Sequence, residues 1–266
     1  CGPSPKEVGE TEAEARAVLV DLLEDSSVGP EYLGEAAEVL GRLKPVRAQP
    51  ALVKLLVHPN EFVAFKAIGA LSRLGDERSV SSLLDLFEET QSQILKVEVA
   101  RVLAEKGDQE KRNWLLDTLR GSSLGIFRSN AATALSRLGD KEAIPSLRVA
   151  FEKDPVAIVR SSAALALARL DDTGSLKAIA DTLVQTPQKS TALAMVEALA
   201  VFGNPAAIQH LESAVMRSDW TFSLRRRCLL AIARPGSNSS IENYLQDLLV
   251  NSKKVPDQML AAEGLG

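Results

Sequence analysis

Short turns recur along this chain at an almost constant interval. Gly75-Asp76, Gly107-Asp108, Gly139-Asp140, Asp171-Asp172 and Gly203-Asn204 follow one another every 32 residues; Lys44-Pro45 precedes the series by 31 and Gly236-Ser237 follows it by 33. A fixed period of this length marks an array of helical pairs, in which no unit can bury its own apolar face and each must stack on its neighbours.

The residues around each turn keep the same register. Before it, Ala67, Val99, Ala131, Ala163, Met195 and Cys228 form one column. Leu71, Leu103, Leu135, Leu167, Leu199 and Ile232 form another, four residues on. After it, Leu83, Leu115, Leu147, Ile179, Leu211 and Tyr244 lead, again by four residues, to Phe87, Leu119, Phe151, Leu183, Val215 and Leu248. Such offsets lie on one helical face. Each repeat therefore reads as a first helix, a tight turn and a second helix. The small first column lets adjacent first helices approach closely.

The turn residues fit this reading. Glycine closes a helix in the left-handed region without a Cβ penalty. Asp76, Asp108, Asp140 and Asp172 stand where a carboxylate caps the next helix. Pro50 and Pro145 occupy the start of second helices, where a missing N–H costs least. Asp171 replaces glycine in one repeat and must take the left-handed conformation itself. Pro235 predicts an early end to the last first helix.

The expected fold is all-α, a right-handed alpha-alpha superhelix of about seven helical pairs. A flexible tether over 1–10 precedes a single solenoid over 11–266. That solenoid comprises a capping helix at 11–25, repeats over 31–252 and a partial C-terminal repeat over 255–266. Hydrophobic residues make up 45% of the chain and aromatics only 4%, which suits thin Ala/Leu layers. The formal net charge of −4 offers no general basic surface for nucleic acid. No run of about 18 apolar residues is present to span a bilayer.

Cys1-Gly2-Pro3-Ser4-Pro5-Lys6 resembles the mature end of a bacterial lipoprotein, in which signal peptidase II cuts just before a lipid-bearing Cys. The resemblance implies a lipid on Cys1 and a place in the bacterial cell envelope, facing the periplasm or the cell surface. Gly2 rather than Asp favours the outer over the inner membrane. Cys228 falls in the small buried column and is expected to be an inert thiol.

Ala70-Leu71-Ser72-Arg73-Leu74-Gly75-Asp76, Ala134-Leu135-Ser136-Arg137-Leu138-Gly139-Asp140 and Ala166-Leu167-Ala168-Arg169-Leu170-Asp171-Asp172 resemble HEAT-like repeats of the phycobilisome-lyase type. Phe127-Arg128, Val159-Arg160 and Leu224-Arg225 match the hydrophobic-Arg pair that opens a first helix in that family. The resemblance implies a scaffold or adaptor that binds a protein or peptide on a concave face lined by second helices. It also implies an alternative, a bilin lyase or isomerase subunit acting on phycobiliproteins.

No catalytic residue, metal site or cofactor motif emerges. His58 and His210 make no His-Glu pair of the kind that HEAT-like deoxyhypusine hydroxylases use for iron, and they stand almost five repeats apart. No phosphate loop, nucleophile elbow or His-Glu-x-x-His is present. The expectation is a protein that is not an enzyme, with no metal and no nucleic-acid partner. Trp114, Ser146, His210 and Asn243 share one column of the second helix and form a candidate contact set. Trp114 is either an exposed anchor there or a local plug over the edge of the stack. Trp220 with Arg225, Arg226 and Arg227 forms a second candidate patch, for a partner or a phospholipid headgroup; the alternative is that these arginines are solvated or paired. Arg42, Arg73, Arg137 and Arg169 recur late in first helices, where the macrodipole favours cations.

Overall fold

The computed structural model describes residues 5–25, 27–217, 220–232 and 239–265. Among them the chain is all-α. It folds as two compact units, residues 1–115 and 116–266. The first unit holds α1 (Pro5–Glu24), α2 (Pro30–Leu43), α3 (Gln49–Leu55), α4 (Glu61–Leu74), α5 (Glu77–Glu89) and α6 (Gln93–Glu105). The division falls within α7 (Gln109–Gly121). The second unit continues with α8 (Gly125–Leu138), α9 (Ile144–Lys153), α10 (Ala157–Arg169), α11 (Leu176–Gln185) and α12 (Lys189–Phe202). It ends with α13 (Pro205–Val215), α14 (Phe222–Ile232), α15 (Ser239–Asn251) and α16 (Val255–Leu265).

The even-numbered helices stack on one another: α2, α4 and α6 in the first unit, and α8 through α16 in the second. Their small columns make this possible. Ala67 and Val99 are fully buried, as are Ala131, Ala163, Met195 and Cys228. Gly41 of α2 lies close against the α4 backbone, where an added Cβ would stand 2.6 Å from the Ala70 Cα. The Leu column is buried throughout, each side chain contributing about 1.5–3 kcal/mol of transfer free energy. Odd-numbered helices pack against the even helix that follows, as α9 does on α10 and α15 on α16.

The turns do what their residues suggest. Gly75, Gly107, Gly139 and Gly203 take positive φ, and so does Asp171 at 56°. Asp76 accepts a hydrogen bond from the Ser79 N–H at 2.8 Å, Asp108 from Lys111 at 3.1 Å and Asp140 from Glu142 at 3.1 Å. Asp172 behaves differently. Its carboxylate receives the Arg148 guanidinium and the Ser175 hydroxyl, holding a short 3-10 turn ahead of α11. Pro50 and Pro145 sit in the first turns of α3 and α9.

One boundary moves. The segment expected as a tether over 1–10 is helical from Pro5, so α1 starts six residues ahead of the expected capping helix. Proline at a first helical position forfeits only an N–H with no helical partner, and Lys6 to Glu10 offer no breaker stronger than Gly9. Pro235 lies outside the described residues.

Candidate functional site

The geometry of the second unit is set by arginines that open even-numbered helices. Arg128 is buried at the start of α8. Its Nε and Nη2 donate to the two Asp154 carboxylate oxygens at 2.7 and 2.8 Å, and its Nη1 donates to the Ser122 carbonyl at 2.6 Å. One side chain thereby joins the end of α7, the start of α8 and the loop after α9. The Arg128 guanidinium holds the Asp154 carboxyl below the usual carboxylate range, overcoming the opposing effect of burial. Arg160 repeats part of this on α10, donating to the Asp154 carbonyl at 2.8 Å.

Next to this clamp lies an open groove of about 600 Å³. Leu119 on α7, Pro145, Val149 and Ala150 on α9, and Pro155 line its apolar part. Arg120, Ser122, Ser146, Lys153, Arg128 and Asp154 are its polar lining. Arg120 Nε donates to Ser146 Oγ at 3.0 Å, which ties the guanidinium to α9. Val149 is 56% exposed, an aliphatic side chain kept in water within a fold that hides most others. Leu124 and Val156, just ahead of α8 and α10, and Ile126 and Ile158 in the first turns of those helices, are between 38% and 53% exposed. Val156 leans onto α8, where a Cβ on Gly125 would stand 2.9 Å from its Cγ1.

The residues expected to make contacts fare unequally. Ser146 lines the groove. His210 on α13 and Asn243 on α15 are exposed but do not line it. Trp114, in the first unit, is half-buried and packs edge-on against buried Phe87, ring centroids 5.2 Å apart at 83°. Lys96 and Lys111 lie over the same Phe87 ring at 4.7 and 4.6 Å. Trp220 is half-buried beneath the Arg217 guanidinium at 5.1 Å. Cys1 lies outside the described residues.

The arginine triplet separates into three different residues. Arg225 is not on the surface: it is 4% exposed, donates to the Val215 carbonyl at 2.8 Å and to Tyr244 Oη at 2.9 Å, and pairs with Asp257. It belongs to the same structural column as Arg128, so its first-turn position serves packing between layers. Arg226 is spanned by both Glu263 oxygens of α16. Arg227 is exposed. Cys228 is fully buried, and burial pushes its thiol up to about 12, consistent with an inert core position.

Val149, Arg120, Lys153 and the exposed aliphatic residues are not among the contact residues that the sequence alone predicts. The signal was present. Phe62, Ile94, Ile126 and Ile158 recur at intervals of 32 as the second residue of α4, α6, α8 and α10, and all four are exposed. A periodic apolar column reads as core until burial is known. Among the described residues no group of three or more His, Cys, Asp or Glu is placed to hold a metal ion, and no helix is long and apolar enough to cross a membrane.

A family model for HEAT repeats matches residues 17–96, 88–168 and 153–233, well over half of the chain. The chain belongs to the HEAT-repeat family. Among solved structures, this HEAT-repeat protein is similar to the complex of CpcE and CpcF of phycocyanin lyase from Nostoc sp. PCC7120. That match has 19% identity, covers 94% of each chain and has a TM-score of 0.52. The match supports the fold. Human deoxyhypusine hydroxylase in complex with glycerol aligns at 20% identity over 85% of this chain and 97% of its own, with a TM-score of 0.37. An engineered protein aligns at 21% over 96% and 78%, with a TM-score of 0.40. No curated protein matches the sequence.

Proposed function

We propose that this HEAT-repeat protein is a non-enzymatic scaffold or adaptor for a protein or peptide partner, and that the groove between α7 and α9 is a place where it binds. The open apolar floor around Val149 carries this reading. Val149 is 56% exposed on the groove floor, so burial between the stacked layers does not account for it. Contiguous apolar surface rimmed by polar groups is what protein contact sites look like. The arginine clamp below it keeps the groove's walls in place before any partner arrives, which lowers the ordering cost of binding.

The test is a Val149→Asp substitution in the protein recovered from its native host. The variant should lose a co-purifying partner and keep its melting temperature, because the side chain it changes is exposed. Undiminished recovery of the partner would rule the groove out. A lipid tether in the bacterial cell envelope is proposed separately, on the likeness of Cys1-Gly2-Pro3-Ser4 to a mature lipoprotein end. Radioactive palmitate should label the wild type and not a Cys1→Ser variant; an unlabelled wild type would refute the tether.

A further inference from the structure

We infer that the groove between α7 and α9 takes a partner-protein segment in which aliphatic side chains stand beside carboxylates. This rests on the docking reading above and specifies the chemistry of the occupant. The groove's ionisable lining comprises three cations, Arg120, Arg128 and Lys153, against one carboxylate, Asp154. Asp154 is already spent. Both its oxygens receive Arg128, one of them also accepts the Val156 N–H at 2.9 Å, and its side chain is 7% exposed. Arg128 is neutralised in the same contact. Arg120 and Lys153 therefore carry the groove's remaining positive charge, although the whole protein carries a net charge of −4.

Arg120 is placed for recognition as well as for charge. Its Nε is engaged by Ser146, and its Nη1 lies 3.9 Å from the exposed Asp117, a contact that water weakens. The outer guanidinium nitrogens stay available for a carboxylate, which they bind in a fork. Lys153 is exposed where it lines the groove. The volume of about 600 Å³ suits a few side chains, and Val149 with Pro145 and Pro155 gives those side chains an apolar bed. Two cations around an apolar floor are too few for a phosphate backbone, which is held by rows of them.

The experiment is fluorescence anisotropy with the full chain. Its probe is a fluorescein-labelled peptide of about a dozen residues mixing Leu, Glu and Ser. Counterparts carry Lys in place of Glu, or Ser in place of Leu, and phosphatidylglycerol vesicles test a lipid surface. The Leu/Glu peptide should bind at least about tenfold more tightly than either counterpart. An Arg120→Glu, Lys153→Glu variant with unchanged melting temperature should lose that preference. Equal or better binding of the Lys counterpart, a preference that survives charge reversal, or binding to vesicles alone would each overturn the inference. None of those results touches the Val149→Asp experiment, so the chemistry of the occupant can fail while the groove stands as a docking site.

Discussion

Arg128 and Asp154 show how one pair of residues can fix the separation between repeats. With side chains 10% and 7% exposed, the pair is largely shielded from water although it lines the groove, and deleting one partner leaves an uncompensated charge behind. Arg128→Ala should cost about 3–5 kcal/mol in denaturant unfolding. Arg120→Ala, removing an exposed side chain, should cost less than about 1 kcal/mol. The pair also gives a pH signature. The folded state depresses the Asp154 carboxyl through the Arg128 hydrogen bonds, and Asp172 likewise through Arg148. The unfolded chain then binds more protons in acid, so this contribution is intact above the ordinary carboxylate value near ~3.9 and is lost as pH falls through the lowered folded-state values. The difference in melting temperature between wild type and Asp154→Asn should therefore shrink below about pH 4; a constant difference would show that the pair does not titrate this way. Trp114 makes a third test at this scale. Its edge-on contact with Phe87 predicts that Trp114→Ala lowers stability by about 1–3 kcal/mol, where a purely exposed anchor would leave the melting temperature unchanged.

At the scale of the helices, the period was legible because every turn obeys local chemistry. Gly139 at φ 73° and Asp171 at φ 56° occupy the same left-handed corner, one easily and one under constraint. Gly139→Ala should cost about 1–2 kcal/mol in thermal unfolding, and Asp171→Gly should be neutral or stabilising. Gly41 tests helix approach, since its added Cβ would meet the Ala70 backbone and no flexible side chain can yield. Gly41→Ala should destabilise by about 1–3 kcal/mol through overpacking. What could not be read was the direction in which a periodic side chain points once helices are stacked. Arg225 looked like part of a cationic patch and is an internal clamp. Ile126 and Ile158 have the spacing of core residues and face water. In the sequence Ser146 is one member of a polar column, and only assembly of α7 with α9 shows that it steadies Arg120 beside an apolar groove. The start of α1 at Pro5 is hidden for a simpler reason, because a proline-rich opening reads as a break although proline is well tolerated in the first helical turn.

For the molecule as a whole, the repeat accounts for nearly all of the sequence by stacking, and function falls to the few places where stacking leaves work undone. The groove of the second unit is such a place: aliphatic surface is left open there, a buried clamp preorganises it, and two cations face outward. Under the proposed function a protein partner occupies it. A photoreactive amino acid placed at position 149 of the full-length protein, in its native host, tests this most directly. The same substitution at exposed Val184 on α11, which does not line the groove, serves as the comparison. On irradiation, position 149 should yield a discrete protein adduct that Arg120→Glu with Lys153→Glu diminishes, and position 184 should not. No adduct at 149, or the same adduct from both positions, would contradict the account.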